Sequence, residues 1–282
     1  MKHLTACAAL ALATPVLAQP SFAELKQKTD DITNLIAAEN AKSELCARYV
    51  GTVVTPTTFD ALAQTLPKIA AKGEYETTSQ YEARKAAALS RAPTGLSVLV
   101  LPTDRDYARY EADDETLFVQ AGAFQAGAYS PNVKAQFPAW SAVARGVPEG
   151  TGLFVSDSQR LVRTYTAQNA FGASFRVSVI DRNTKALHLT TEQLFPFAKF
   201  KSSPIMGMRL PLAKAPQVRQ TFKVALVLQP VAPFVVTGMS DEFRPTVREP
   251  QEYTDRVTLL VAQPKCGLVL ASTMHVLASA DA

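Results

Sequence analysis

Few side chains in this sequence are equipped for catalysis or metal binding. Beyond residue 18 there are two histidines, His188 and His275, and two cysteines, Cys46 and Cys266. Neither cysteine belongs to a Cys-x-x-Cys pair and no His-Glu-x-x-His is present. Dithiol redox, zinc-knuckle and zincin chemistry therefore lack a signature. Both histidines fall in strand patterns, where a packed or surface role is expected. Gly-x-Ser-x-Gly and Ser-x-x-Lys are absent, which removes the commonest signals of α/β-hydrolase and penicillin-binding chemistry. Gly146, Gly150 and Gly152 precede a strand pattern without the Lys-Ser/Thr of a phosphate-binding loop, so they read as a connecting loop. Carboxylates are what remains. Asp104, Asp106, Glu111, Asp113, Asp114 and Glu115 form an acidic run without EF-hand spacing, and read as a solvated turn. A pair of Asp or Glu side chains ~5–9.5 Å apart would suit glycoside hydrolysis, but chain position does not reveal that distance. No metal and no cofactor is implied.

The most legible segment is the first 18 residues. Lys2 and His3 make a short basic start, residues 4–14 are an apolar run, Pro15 breaks it, and Val16-Leu17-Ala18 places small residues before a cleavage point. This predicts a secretory signal peptide cut between Ala18 and Gln19. The apolar run is shorter than the ~20 residues that span a bilayer. Cys7 precedes that run instead of following it, which argues against lipidation. Cleavage removes Lys2 alone, so the net charge of +4 falls by one. Such a charge, with scattered lysines and arginines, does not indicate nucleic-acid binding. Export to the periplasm makes a disulfide chemically allowed. Cys46 and Cys266 then have one possible intramolecular pairing, the alternative being two packed thiols.

The chain has 282 residues, 47% hydrophobic and 19% charged, which fits a globular protein and excludes intrinsic disorder. Ser21 and Glu24 form a capping box ahead of an apolar stripe, predicting a helix over 21–46. Further helices are expected from Phe59 to Leu66 and from Thr77 or Thr78 to Leu89, with Gln80 as the capping partner. After Pro93 the period becomes strand-like. Strands are expected at 97–101, 117–119, 153–155, 161–166, 175–180, 187–190, 221–228, 234–236, 256–261 and 268–277. Asp181-Arg182-Asn183-Thr184 reads as a hairpin turn, Pro264-Lys265-Cys266-Gly267 as a turn between the last two strands, and residues 122–152 as a long loop around a short helix at 139–144. Strands do not alternate with helices, so a parallel α/β sheet is not expected. The class is α+β: N-terminal helices followed by a largely antiparallel β-rich body, sheet or sandwich. The divisions are 1–18 signal, 19–92 helical, and 93–282 β-rich, with the last two allowed to form one domain.

Three stretches carry a resemblance. Lys72-Gly73-Glu74-Tyr75-Glu76-Thr77-Thr78-Ser79-Gln80-Tyr81-Glu82-Ala83-Arg84 resembles a KGEFETTxxYxAR segment of a family of exported bacterial envelope proteins. The stretch from Tyr165 through Asn169-Ala170-Phe171-Gly172 to Val177 is similar to that family's NAFG segment, and the stretch from Pro245 to Tyr253 to its C-terminal region. The resemblance implies an envelope location and brings no activity or site residue with it. Read as residues, Tyr81 and Arg84 are candidates for a peptide-recognition surface, with packing and local ion pairing as the alternative. Asn169 and Phe171 are candidates for ligand contact, with a turn and its apolar plug as the alternative.

The expected function is a non-catalytic periplasmic binding or interaction module whose partner is an envelope protein, a peptide or a cell-wall component. The alternatives are a carboxylate-dependent hydrolase of an envelope substrate and an oligomeric structural component that uses the 21–46 helix. N-terminal sequencing of the protein recovered from the periplasm is expected to begin at Gln19, and a chain that retains Met1 would refute cleavage.

Overall fold

The computed structural model describes residues 44–282 apart from 68, 70–71, 92–94, 127, 130–138, 141–142, 144–146 and 243–244. The expected signal segment, the expected cleavage point at Ala18–Gln19 and most of the helix expected over 21–46 lie outside the described residues. Lys42–Ala282 forms one compact unit.

The unit is β-rich and mostly antiparallel. Helices α1 (Phe59–Thr65) and α2 (Thr78–Leu89) precede the strands β1 (Ser97–Leu101), β2 (Ala108–Glu111), β3 (Thr116–Gln120), β4 (Ala128–Tyr129), β5 (Thr151–Gln168), β6 (Ser174–Leu189) and β7 (Pro204–Arg209). Helix α3 (Ala215–Thr221) leads into β8 (Lys223–Glu242), β9 (Gln251–Leu270) and β10 (Val276–Asp281). The larger sheet runs β1-β8-β9-β6-β5-β4, with β10 also on β9, and the smaller is β2-β3-β7. The β6–β9 pairing is parallel.

The main core lies between the two sheets. Leu99, Leu187, Leu189, Leu226, Leu228 and Leu260 face Leu117, Val119, Met206 and Met208, with Phe124, Phe195 and Phe222 between them and Phe59 and Leu62 of α1 at one side. The opposite face of the larger sheet is covered in two places. Residues around Cys46 and Val54 cover Val227, Cys266 and Leu268, and a helical segment carrying Ala139, Trp140 and Val143 covers Ala186, Val257 and Leu259. Burial on both faces explains the unbroken apolar runs 224–228 and 259–262.

The two long hairpins then leave the core. β5 is buried up to Leu153 and exposed from Ser156 to Arg163. The strands expected at 153–155 and 161–166 are one strand. So are 175–180 with 187–190, and 221–228 with 234–236, the latter joined through an irregularity between Pro230 and Val235. Residues 181–184 are not a hairpin turn. Asp181 pairs with Arg160, Arg182 with Asp255, and Thr184 with Asp157, all on adjacent strands. Cross-strand partners thus absorb the polar side chains that would otherwise favour a turn. The turn expected at 264–267 is likewise β-strand. Gly267 is small because the Phe195 ring presses on it, and a Cβ there would lie 2.7 Å from Phe195 Cζ. The strands β2 and β7 and the helix α3 have no counterpart among the expected elements.

Cys46 and Cys266 are bonded, with Cα atoms 5.5 Å apart. The bridge ties the short helix end at 44–47 to the interior of β9, across 220 residues of chain. Closing so long a loop restricts the unfolded chain strongly. Replacing both cysteines by serine is expected to lower stability by roughly 2–5 kcal/mol in urea unfolding, and reduction of the wild type is expected to give a shift of the same size.

Candidate functional site

Where β5, β6 and β9 leave the core, one sheet face forms a depression of about 240 Å³ lined by Trp140, Phe154, Asp157, Gln159, Arg182, Thr184, Asp255 and Val257. Strand alternation puts these residues on one side: Asp157 stands opposite Thr184, Gln159 opposite Arg182, and Arg182 beside Asp255. The helical segment that carries Trp140 approaches the sheet at Gly238, where a Cβ would lie 2.1 Å from the Ala139 carbonyl oxygen. Only a residue without a side chain admits that contact. It sets the Trp140 ring edge-on to Phe154, with centroids 5.7 Å apart.

The polar groups are held in place. Arg182 donates through Nε to Asp255 Oδ1 at 2.5 Å and through Nη2 to Oδ2 at 2.8 Å, and its guanidinium stacks 3.9 Å from the Tyr253 ring centroid. Such a fork-to-fork pair fixes both side chains in orientation. Thr184 Oγ1 donates to Asp157 Oδ1 at 3.1 Å. Asp157 and Asp255 are the two carboxylates here. One is neutralised by a guanidinium and the other is tied to a hydroxyl, an arrangement better suited to presenting fixed hydrogen-bonding groups than to proton transfer. A second recess of about 310 Å³ shares Phe154 and Asp157. A larger open cleft of about 470 Å³ lies elsewhere, between Tyr110 and α3, and is lined by Arg105, Asp106, Leu212 and Arg219.

The residues singled out from sequence lie outside this depression. Arg84 binds Glu76 through Nε and Nη2, both at 2.9 Å, and lies over the Tyr81 ring at 5.2 Å. The guanidinium, followed by the Gly73 N–H, draws the Glu76 carboxyl down to about 2. Thr77 and Gln80 close a capping box. The 72–84 stretch is therefore tied together locally, and Arg84 is engaged within it. Asn169 builds the β5–β6 turn: its Oδ1 accepts from the Phe171 and Ala173 N–H groups, and Gly172 takes φ +83°. Phe171 is not a plug. It is 95% exposed at the hairpin tip, because a turn this tight leaves no cavity for a ring. The acidic run 104–115 is partly structured, contributing β2 and the turn into β3.

His188 is fully buried on the same sheet row as Arg182 and Thr184. Its Nε2 lies 2.7 Å from the Pro148 carbonyl, which can only accept, so Nε2 carries the proton. Nδ1 has no hydrogen-bond partner among the described residues. Among the described residues no group of three His, Cys, Asp or Glu side chains is placed to hold a metal ion, and no helix is long and apolar enough to cross a membrane.

No family model matches the chain, and neither a curated protein nor a solved structure matches it. Sequence reasoning missed the depression because its parts come from distant strands. Its one readable signal is Trp140, the single tryptophan of the chain.

Burial pushes the His188 imidazole below its ordinary 6.5. Below that pH the unfolded chain takes up a proton that the folded chain refuses, so stability falls on acidification. His188→Gln can keep the bond to Pro148 without titrating. Urea midpoints at pH 7.5 and pH 5.5 are expected to differ more for the wild type than for the variant.

Proposed function

We propose that this chain is an exported α+β envelope protein, its N-terminal helices preceding the sheet, that acts as a non-catalytic binding module. The Trp140 depression is its ligand-facing site, and a sugar–peptide fragment of the cell wall is the ligand class. The observation that carries the reading is the pairing of aromatic rings with locked polar groups on one sheet face. Trp140 and Phe154 offer apolar surface to a ring face or a methyl group. Asp157, Thr184 and the Arg182–Asp255 pair offer donors and acceptors whose positions are already set, which reduces the ordering cost of binding, and Gln159 adds an amide on the same face. The signal-like first 18 residues and the envelope-family resemblance support the compartment.

Because Trp140 is the only tryptophan, its fluorescence reports this site alone. Titration with soluble disaccharide-peptide fragments of cell wall is expected to shift Trp140 emission saturably. Gln159→Ala, on an exposed strand position, is expected to weaken that response about tenfold, the size of one lost well-oriented hydrogen bond. An unchanged emission refutes the reading. Turnover of the fragment replaces it with the hydrolase alternative, for which Asp157 and Asp255 are the carboxylates to mutate.

A further inference from the structure

We propose that the loop between β6 and β7 is a docking surface for an anionic lipid bilayer. The sequence there is Leu194-Phe195-Pro196-Phe197-Ala198-Lys199-Phe200-Lys201. Phe195 is buried and meets Phe124 edge-on at 5.0 Å. Phe197 and Phe200 are instead 56% and 71% exposed, and Lys199 and Lys201 are exposed with them. Isolated exposed apolar side chains are ordinary. Two phenylalanines and two lysines displayed within five residues form a composite surface.

The loop is held in this shape by its own backbone. The Ala198 N–H donates to the Phe195 carbonyl at 3.0 Å, and the Gln193 side-chain amide donates to the Ala198 carbonyl. The Phe200 N–H donates to Ser203 Oγ at 3.1 Å, and the Ser203 N–H returns to the Phe200 carbonyl at 3.0 Å. Gly122 and Ala121 N–H groups then bind the Lys201 and Ser203 carbonyls at 2.8 and 3.0 Å. The Phe200 ring is thus presented by a fixed turn, and little ordering remains to be done on binding.

The charge pattern selects the occupant. Protein–protein interfaces are depleted of lysine at their cores, whereas here lysines flank Phe200 on both sides. Rings that enter the headgroup region, with ammonium groups that reach lipid phosphates, are the chemistry of an interfacial anchor. Each lysine can extend its alkyl stem along the apolar layer and keep its charge at the phosphates. The surface is separate from the Trp140 depression, so it stands whatever that depression binds.

Flotation of the purified mature chain with vesicles tests this. Vesicles of phosphatidylglycerol and phosphatidylethanolamine are expected to carry the protein, phosphatidylcholine vesicles to carry much less, and added salt to weaken the binding. Phe200→Ala is expected to lower partitioning by about tenfold and the double change Lys199→Glu/Lys201→Glu by more than that. Thermal melts are expected to be unchanged, because these side chains are exposed. Phe171→Ala removes a ring that is more exposed but has no lysine beside it, and is expected to float like the wild type. A wild type that ignores anionic vesicles overturns the proposal and leaves the rings to a protein partner. Variants at 199–201 that float as well as the wild type overturn it equally.

Discussion

Both edges of β9 are hydrogen-bonded along most of its length, and this single strand organises the molecule. β8 runs antiparallel along one edge from Tyr253 to Leu270. On the other edge β6 pairs in parallel from Gln251 to Ala262, and β10 takes over from Cys266 to Leu270. A strand paired on both sides cannot shift register without breaking two ladders at once, and a slip of one residue would turn its apolar side chains to the wrong face. Along β9 stand Asp255, which fixes Arg182, then Val257 and Leu259 under the Trp140 segment, then Cys266, which anchors the chain near residue 46. The candidate site, the tryptophan cover and the disulfide therefore share one register.

The local features of this chain are written in neighbouring residues, and those could be read. Thr77 and Gln80 are three positions apart, and their capping box is present. The change to a strand period near residue 94 corresponds to a body that is mostly antiparallel β. Beyond residue 18 the sequence left Cys46 and Cys266 as either one bridge or two packed thiols, and they are bridged. Where sequence reasoning failed, a partner distant in sequence overrode a local preference. Asp181 to Thr184 has the composition of a turn, yet Arg182 finds Asp255 73 positions away and Asp181 finds Arg160 21 positions away. Gly267 looks like a turn glycine and is a point of close ring contact. The depression under Trp140 needs three strands and a covering segment to be placed together, and no short motif encodes that assembly.

Hydrogen-bonded strands also have a length, and here the length separates two displays of aromatic surface. β6 is 16 residues long and uninterrupted, about 50 Å from end to end at ~3.3 Å per residue. The Asn169–Phe171 turn precedes its first residue, and the Phe197–Phe200 loop follows its last. β5 braces it on one side and β9 on the other for most of that span. The strand is a stiff spacer. It fixes a standoff between the two ends that thermal bending of a single hairpin would blur, and it carries Arg182 and Thr184 at an intermediate height. Anything engaged at one end of β6 is held at a set reach from anything engaged at the other, and both neighbouring ladders would have to be re-registered before that reach could change.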